Sequence, residues 1–171
     1  LKGLCWVFLV SVFWWTGLSF SVAQVLVGPK PQNVEDLFLL NVPGIKVTSW
    51  VENLNVPWSL VFLPNGTAMV SERPGRIRII DDGILYPDPL ACFDSAGVLQ
   101  KSLAACFGVE VGGEGGLMGL ALHPKYDQGQ PYLYIMHTYE KQGNARTNRV
   151  VRLLIKPDGG HFDRVIVSGI P

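Results

Sequence analysis

The sequence predicts an all-β fold on three observations. Apolar and β-branched residues come in short runs, strong turn dipeptides separate the runs, and no strand-helix-strand alternation occurs. Glycine (19) and proline (12) are plentiful in a chain of 171 residues that is 48% hydrophobic, which suits tight turns better than long amphipathic helices. A doubly wound nucleotide-binding fold is disfavoured, because it needs the missing βαβ pattern.

The elements follow in order. Lys2, an apolar run of about 17 residues from Leu4 to Phe20, and Ser21-Val22-Ala23 have the layout of a secretory signal, so residues 1–23 are expected to be a cleaved leader. Ser11, Thr16, Gly17 and Ser19 interrupt the run, which lies at the lower edge of what spans a bilayer; membrane attachment is expected only if this leader is retained. Residues 24–41 mix prolines with polar residues and read as a linker, and residues 42–171 as the folded part. The alternation in 46–52 is imperfect, and 58–63 is an apolar strand. Asn65-Gly66 is a hairpin turn before a strand at 68–72. Pro74-Gly75 turns the chain into 76–80, where charge and apolar residues alternate, and Asp81-Asp82-Gly83 turns it again. These strands make a meander the size of one propeller blade.

The stretch 85–112 is irregular and reads as a surface excursion, with one or two helical turns expected within 99–107. A buried strand at 117–122 follows, ended by His123-Pro124, then strands at 132–138, 148–155 and 164–167, the last after the turn Pro157-Asp158-Gly159-Gly160. That is a second four-stranded unit. The chain begins with leucine and stops at Gly169-Ile170-Pro171 without a capping element, as expected of a fragment.

Lysine plus arginine equals aspartate plus glutamate at 14 each, so no net field favours nucleic acid or an anionic membrane surface. Cys5 lies in the leader, leaving Cys92 and Cys106. In an oxidising compartment they would close a loop of about 15 residues worth on the order of 3 kcal/mol; the alternative is two buried thiols. Asn65-Gly66-Thr67 is formally a glycosylation sequon.

The segment with most chemical content is Gly112-Gly-Glu-Gly-Gly-Leu-Met-Gly-Leu-Ala-Leu-His-Pro124. It places the carboxylate of Glu114 among glycines, where a flat ligand could approach the backbone closely. The other reading is a solvated turn glutamate. A phosphate-binding loop is excluded, since no Gly-Lys-Ser/Thr ending and no following helix are present. His123 reads as a structural strand end, and His137 and His161 lack a second ligand at usable spacing. Trp58, Tyr132, Tyr134 and Tyr139 read as packing residues. Glu72, Arg73, Arg76 and Arg78 read as a solvated strand face.

Together with Val56-Pro-Trp-Ser-Leu-Val-Phe-Leu-Pro64 and Ser71-Glu-Arg-Pro-Gly-Arg-Ile-Arg78, the glycine segment resembles the soluble pyrroloquinoline-quinone (PQQ) sugar dehydrogenases, the glucose/sorbosone and aldose sugar dehydrogenase family. The resemblance implies the N-terminal part of an exported, secreted or periplasmic, six-bladed β-propeller, about two blades of it. It implies an enzyme oxidising an aldose at its anomeric carbon with PQQ and calcium, and passing electrons to an acceptor. By the same resemblance Glu114 helps hold the sugar, while the histidine base, cofactor clamp and calcium ligands belong to parts of the pattern after Pro171. The fragment alone is therefore expected to be inactive. Two departures stand out: the stretch 90–111 is long for the family, and residue 114 is glutamate rather than glutamine. A non-enzymatic, partner-binding propeller like the hedgehog-interacting proteins is the alternative, and a lactonase-like hydrolase a weaker one.

Overall fold

The computed structural model describes residues 48–141 and 145–171. The expected leader (1–23), linker (24–41) and residues 42–47 lie outside the described residues. Residues 48–55 form no strand, contrary to the alternation in 46–52. Val51 and Leu54 instead cover the apolar patch of Ala68, Val70 and Ile80.

The first sheet has the order β1-β2-β3-β4, antiparallel throughout: β1 (Pro57–Phe62), β2 (Ala68–Glu72), β3 (Arg76–Asp81) and β4 (Ile84–Leu85). Turn chemistry sets its corners. Asn65 Oδ1 accepts from the Thr67 amide at 3.2 Å while Gly66 takes φ +92°. Asp82 (φ 48°) and Gly83 (φ 75°) give two consecutive positive φ values, the pattern of a type I′ hairpin.

The second sheet has six strands in the order β6-β5-β10-β9-β8-β7, where the sequence suggests four. Its meander is β7 (Leu117–Leu122), β8 (Tyr132–Lys141), β9 (Ala145–Lys156) and β10 (Gly159–Ile170). The short β5 (Cys92–Phe93) joins parallel to β10, and β6 (Leu99–Gln100) pairs antiparallel with β5. Strand β10 is much longer than the expected 164–167. Its pairing with β9 shifts register at Phe162/Arg164, Val165/Val167 and Ser168/Ile170, and each shift breaks the side-chain alternation that marks a strand in sequence.

The stretch 85–112 is not a surface excursion. Leu90, Cys92, Leu103, Cys106, Phe107 and Val109 are buried in one cluster with Met69 and Ile77 of the first sheet and Leu117, Leu133, Ile135, Val151 and Leu153 of the second. The helical turn expected within 99–107 is α1 (Leu103–Phe107), which opens on Ser102, whose hydroxyl accepts from the Ala105 amide at 3.1 Å, and ends at Gly108 (φ 64°). A Cys92–Cys106 disulfide, Cα–Cα 6.1 Å, ties β5 to α1.

The two sheets meet through β1 and β7, each the edge strand of its own sheet. The Leu120 amide donates to Ser59 Oγ at 3.1 Å, and Ser71 Oγ donates to the Met118 carbonyl at 2.6 Å. Two antiparallel meanders joined at their first strands are adjacent blades of a β-propeller, as the sequence pattern predicts.

Candidate functional site

Glu114 sits at the tip of a tight turn leading into β7. The Gly115 amide donates to the Gly112 carbonyl at 2.9 Å, and the Gly112 amide returns a bond to the Gly115 carbonyl at 3.3 Å. Gly113 (φ +56°) and Glu114 are the two central residues, and only Gly113 has positive φ, as in a type II′ turn. Glu114 is exposed and has no ion pair among the described residues.

The glycines do not all serve ligand approach, as the sequence suggested. A Cβ on Gly112 would lie 2.1 Å from Arg146 Nη1, one on Gly115 2.8 Å from Thr138 Oγ1, and one on Gly116 2.5 Å from Arg73 Cγ and O. Only Gly113 faces open space. Three glycines therefore fit the turn against its own neighbours, leaving Gly113 and Glu114 as the solvent-facing tip. Thr138, buried within β8, holds the turn from below: Oγ1 accepts from the Gly116 amide at 3.1 Å and donates to Asn148 Oδ1 at 2.8 Å.

The Glu72 cluster is a correction. Glu72 is fully buried rather than solvated. Its carboxylate accepts from the Asn55 amide at 2.7 Å and from Arg76 Nε at 2.6 Å, with Arg78 Nη1 at 3.5 Å. Arg78 Nη2 donates to the Tyr86 carbonyl at 2.7 Å, and its buried Nε has no partner among the described residues. Trp58 is a second correction: it is 47% exposed, on the same side of β1 as the exposed Leu60 and Phe62.

Three histidines are placed by local bonds. His123 Nδ1 accepts from the Lys125 amide at 3.1 Å, and His161 pairs with Asp158 at 2.9 Å while stacked on Phe93. His137 is fully buried against the Phe107 ring. Arg149 Nε donates to its Nε2 at 3.1 Å, so the proton of the neutral ring is on Nδ1, which donates to the Thr138 carbonyl at 2.9 Å. Burial, opposed by that carbonyl and aided by the Arg149 charge, pulls the His137 pKa down to about 4. Arg149 also donates to the Phe107 carbonyl, clasping α1 to β9.

Among the described residues no three carboxylate, histidine or cysteine side chains come together to hold a metal. No helix there is long and apolar enough to cross a membrane. Gly113 and Glu114, with Arg73 bonded to the Gly113 carbonyl and Arg146 against Gly112, form one wall of the candidate site. Arg73 and Thr138 are parts of this wall that sequence reasoning missed. Arg73 stands in a run of charges that looks like a solvated face, and nothing in the local pattern distinguishes Thr138 from any strand threonine.

Two antiparallel blades with a glycine-turn carboxylate at their join are those of a β-propeller. The sequence profile of the Glucose / Sorbosone dehydrogenase family matches residues 54–169, and the chain belongs to that family. A crystal structure of an oxidoreductase (glucose dehydrogenase) from Thermus thermophilus is 40% identical with a TM-score of 0.53, over 71% of this chain and 31% of that one. The PQQ-bound aldose sugar dehydrogenase of Streptomyces coelicolor is 29% identical with a TM-score of 0.53, over 73% of this chain and 34% of that one. An uncharacterized protein of Synechocystis sp. is 31% identical over 150 residues, 78% of this chain and 35% of its own length. The chain thus spans about a third of the length of these relatives. The partner-binding alternative draws no support from them.

Proposed function

We propose that this chain contributes the first two blades of an exported aldose dehydrogenase. The observation that carries the reading is the family match across 54–169, which includes the turn that presents Glu114 at the join of the two blades. Glu114 is assigned to the sugar: an exposed carboxylate with no ion-pair partner among the described residues can accept hydrogen bonds from two hydroxyls, and charge-assisted bonds of this kind are the stronger class. The substrate is an aldose oxidised at its anomeric carbon to the lactone, losing two electrons and two protons. PQQ activated by calcium, by family resemblance, would take up those electrons and pass them to an external acceptor. Export to an oxidising compartment, secreted or periplasmic, is supported by the leader pattern and by the Cys92–Cys106 bond.

The test uses the full-length protein, reconstituted with PQQ and calcium and assayed for aldose-dependent reduction of a redox dye. Turnover that requires both additions is expected. A folded protein that binds PQQ yet turns over no aldose would overturn the proposal.

A further inference from the structure

We propose that Arg73 is a positioning residue, which sets the height of the Glu114 turn from the neighbouring blade. The inference rests on the sugar-binding reading of Glu114 given above. Arg73 lies in the turn between β2 and β3 of the first sheet, yet it makes three bonds that converge on the join. Its amide donates to the Val56 carbonyl at 3.0 Å, and its carbonyl accepts from the Leu117 amide, the first residue of β7, at 2.9 Å. Its guanidinium Nη1 donates to the Gly113 carbonyl at 2.9 Å. One residue thus grips both the tip of the turn and its exit.

The packing is as tight as the bonding. Gly116 takes φ +155°, and a Cβ there would lie 2.5 Å from both Arg73 Cγ and the Arg73 carbonyl oxygen, so the space of one side chain is filled by the stem of the other. The backbone that carries this arm is anchored. Glu72, immediately before it, is buried and bound to the Asn55 amide and Arg76. The Arg146 guanidinium lies against Gly112. The Arg73 guanidinium is spent on a backbone carbonyl and makes no ion pair with Glu114, so its effect on the carboxylate is geometric. Small displacements of a binding group cost rate disproportionately, which is why a residue outside the turn can govern it.

The test compares Arg73→Ala, Arg73→Lys, Glu114→Ala and the Arg73→Ala/Glu114→Ala double variant in the full-length holoenzyme. Hydrogen exchange of residues 112–117 and melting temperature are measured beside kcat/KM. Arg73→Ala is expected to speed exchange across the turn and to lower kcat/KM by roughly tenfold. Arg73→Lys, which keeps the stem against Gly116 and a donor, should recover part of both. The double variant should be no worse than Glu114→Ala alone, because the two residues act through one contact. Unchanged exchange in Arg73→Ala, or a double-variant loss equal to the product of the single losses at matched melting temperature, would overturn the proposal. If Glu114→Ala leaves kcat/KM untouched, the sugar-binding reading of Glu114 fails; exchange then decides alone whether Arg73 holds the turn.

Discussion

Two glutamates in this chain have opposite surroundings and predict opposite consequences. Glu114 is exposed on a glycine turn and touches little, so Glu114→Ala in the full-length protein should leave the melting temperature nearly unchanged. If it holds the sugar, the same change removes charge-assisted bonds worth roughly 1.5–3 kcal/mol, a fall of about ten- to a hundredfold in kcat/KM. Glu72 is buried between two arginines, one of them 39% exposed and so partly screened. Glu72→Gln strands the part-buried Arg78 charge and should cost about 2–3 kcal/mol of stability, read by denaturant unfolding. His137 adds a pH dependence whose sign follows from its surroundings. Its folded pKa of about 4 lies below the ordinary 6.5, so the neutral ring stabilises the fold fully above pH 6.5. That stability, on the order of 3 kcal/mol, is lost as pH falls through 6.5 toward 4. Unfolding free energies measured from pH 7 to 4 should decline less steeply in His137→Gln; equal slopes would show that another group titrates.

At the scale of elements, legibility followed turn chemistry. The hairpin from β1 to β2 could be read because Asn65-Gly66 marks its corner, and the alternation in 76–80 because β3 pairs with β2 without a shift. The full extent of β10 could not: three register shifts scramble its period, and only the local run 164–167 still looks like a strand. The burial of 85–112 is hidden from the sequence for a different reason. Its apolar residues are spaced for no regular element, and their burial is decided by Met69, Ile77 and Leu117, which are distant in sequence. The site was legible as far as Glu114 and its glycines. What those glycines accommodate was not, because Arg73, Thr138 and Arg146 reach them only through tertiary packing. The disulfide gives the element scale its own prediction. Cys92 and Cys106, 14 residues apart, close a loop whose cross-link is worth about 3 kcal/mol in the chain-entropy model. Reductant should therefore lower the unfolding free energy of the full-length protein by about that much, and should have no effect on a Cys92→Ala/Cys106→Ala variant. A wild type indifferent to reductant would show that the two thiols are not bonded.

For the whole molecule, the arrangement of the blades decides what the piece can do alone. The chain spans about a third of its relatives, and β4 and β6, the edge strands that take no part in the β1–β7 join, lack a strand partner on one side among the described residues. Trp58, Leu60 and Phe62 on β1 and Val165, Ile166 and Val167 on β10 are all at least 40% exposed. Unpaired strand edges beside exposed apolar surface favour association of chains. In a closed propeller, further blades would cover such surface, and each blade draws stability from its neighbours. Expressed alone, residues 24–171 should self-associate or bind a hydrophobic-surface dye, and should reduce no dye with aldose even when PQQ and calcium are added. Sedimentation analysis beside the dye-reduction assay checks both halves. A monodisperse piece would mean that the β1 and β10 surfaces are tolerated in water, and aldose turnover by the piece would place the whole catalytic apparatus within these two blades.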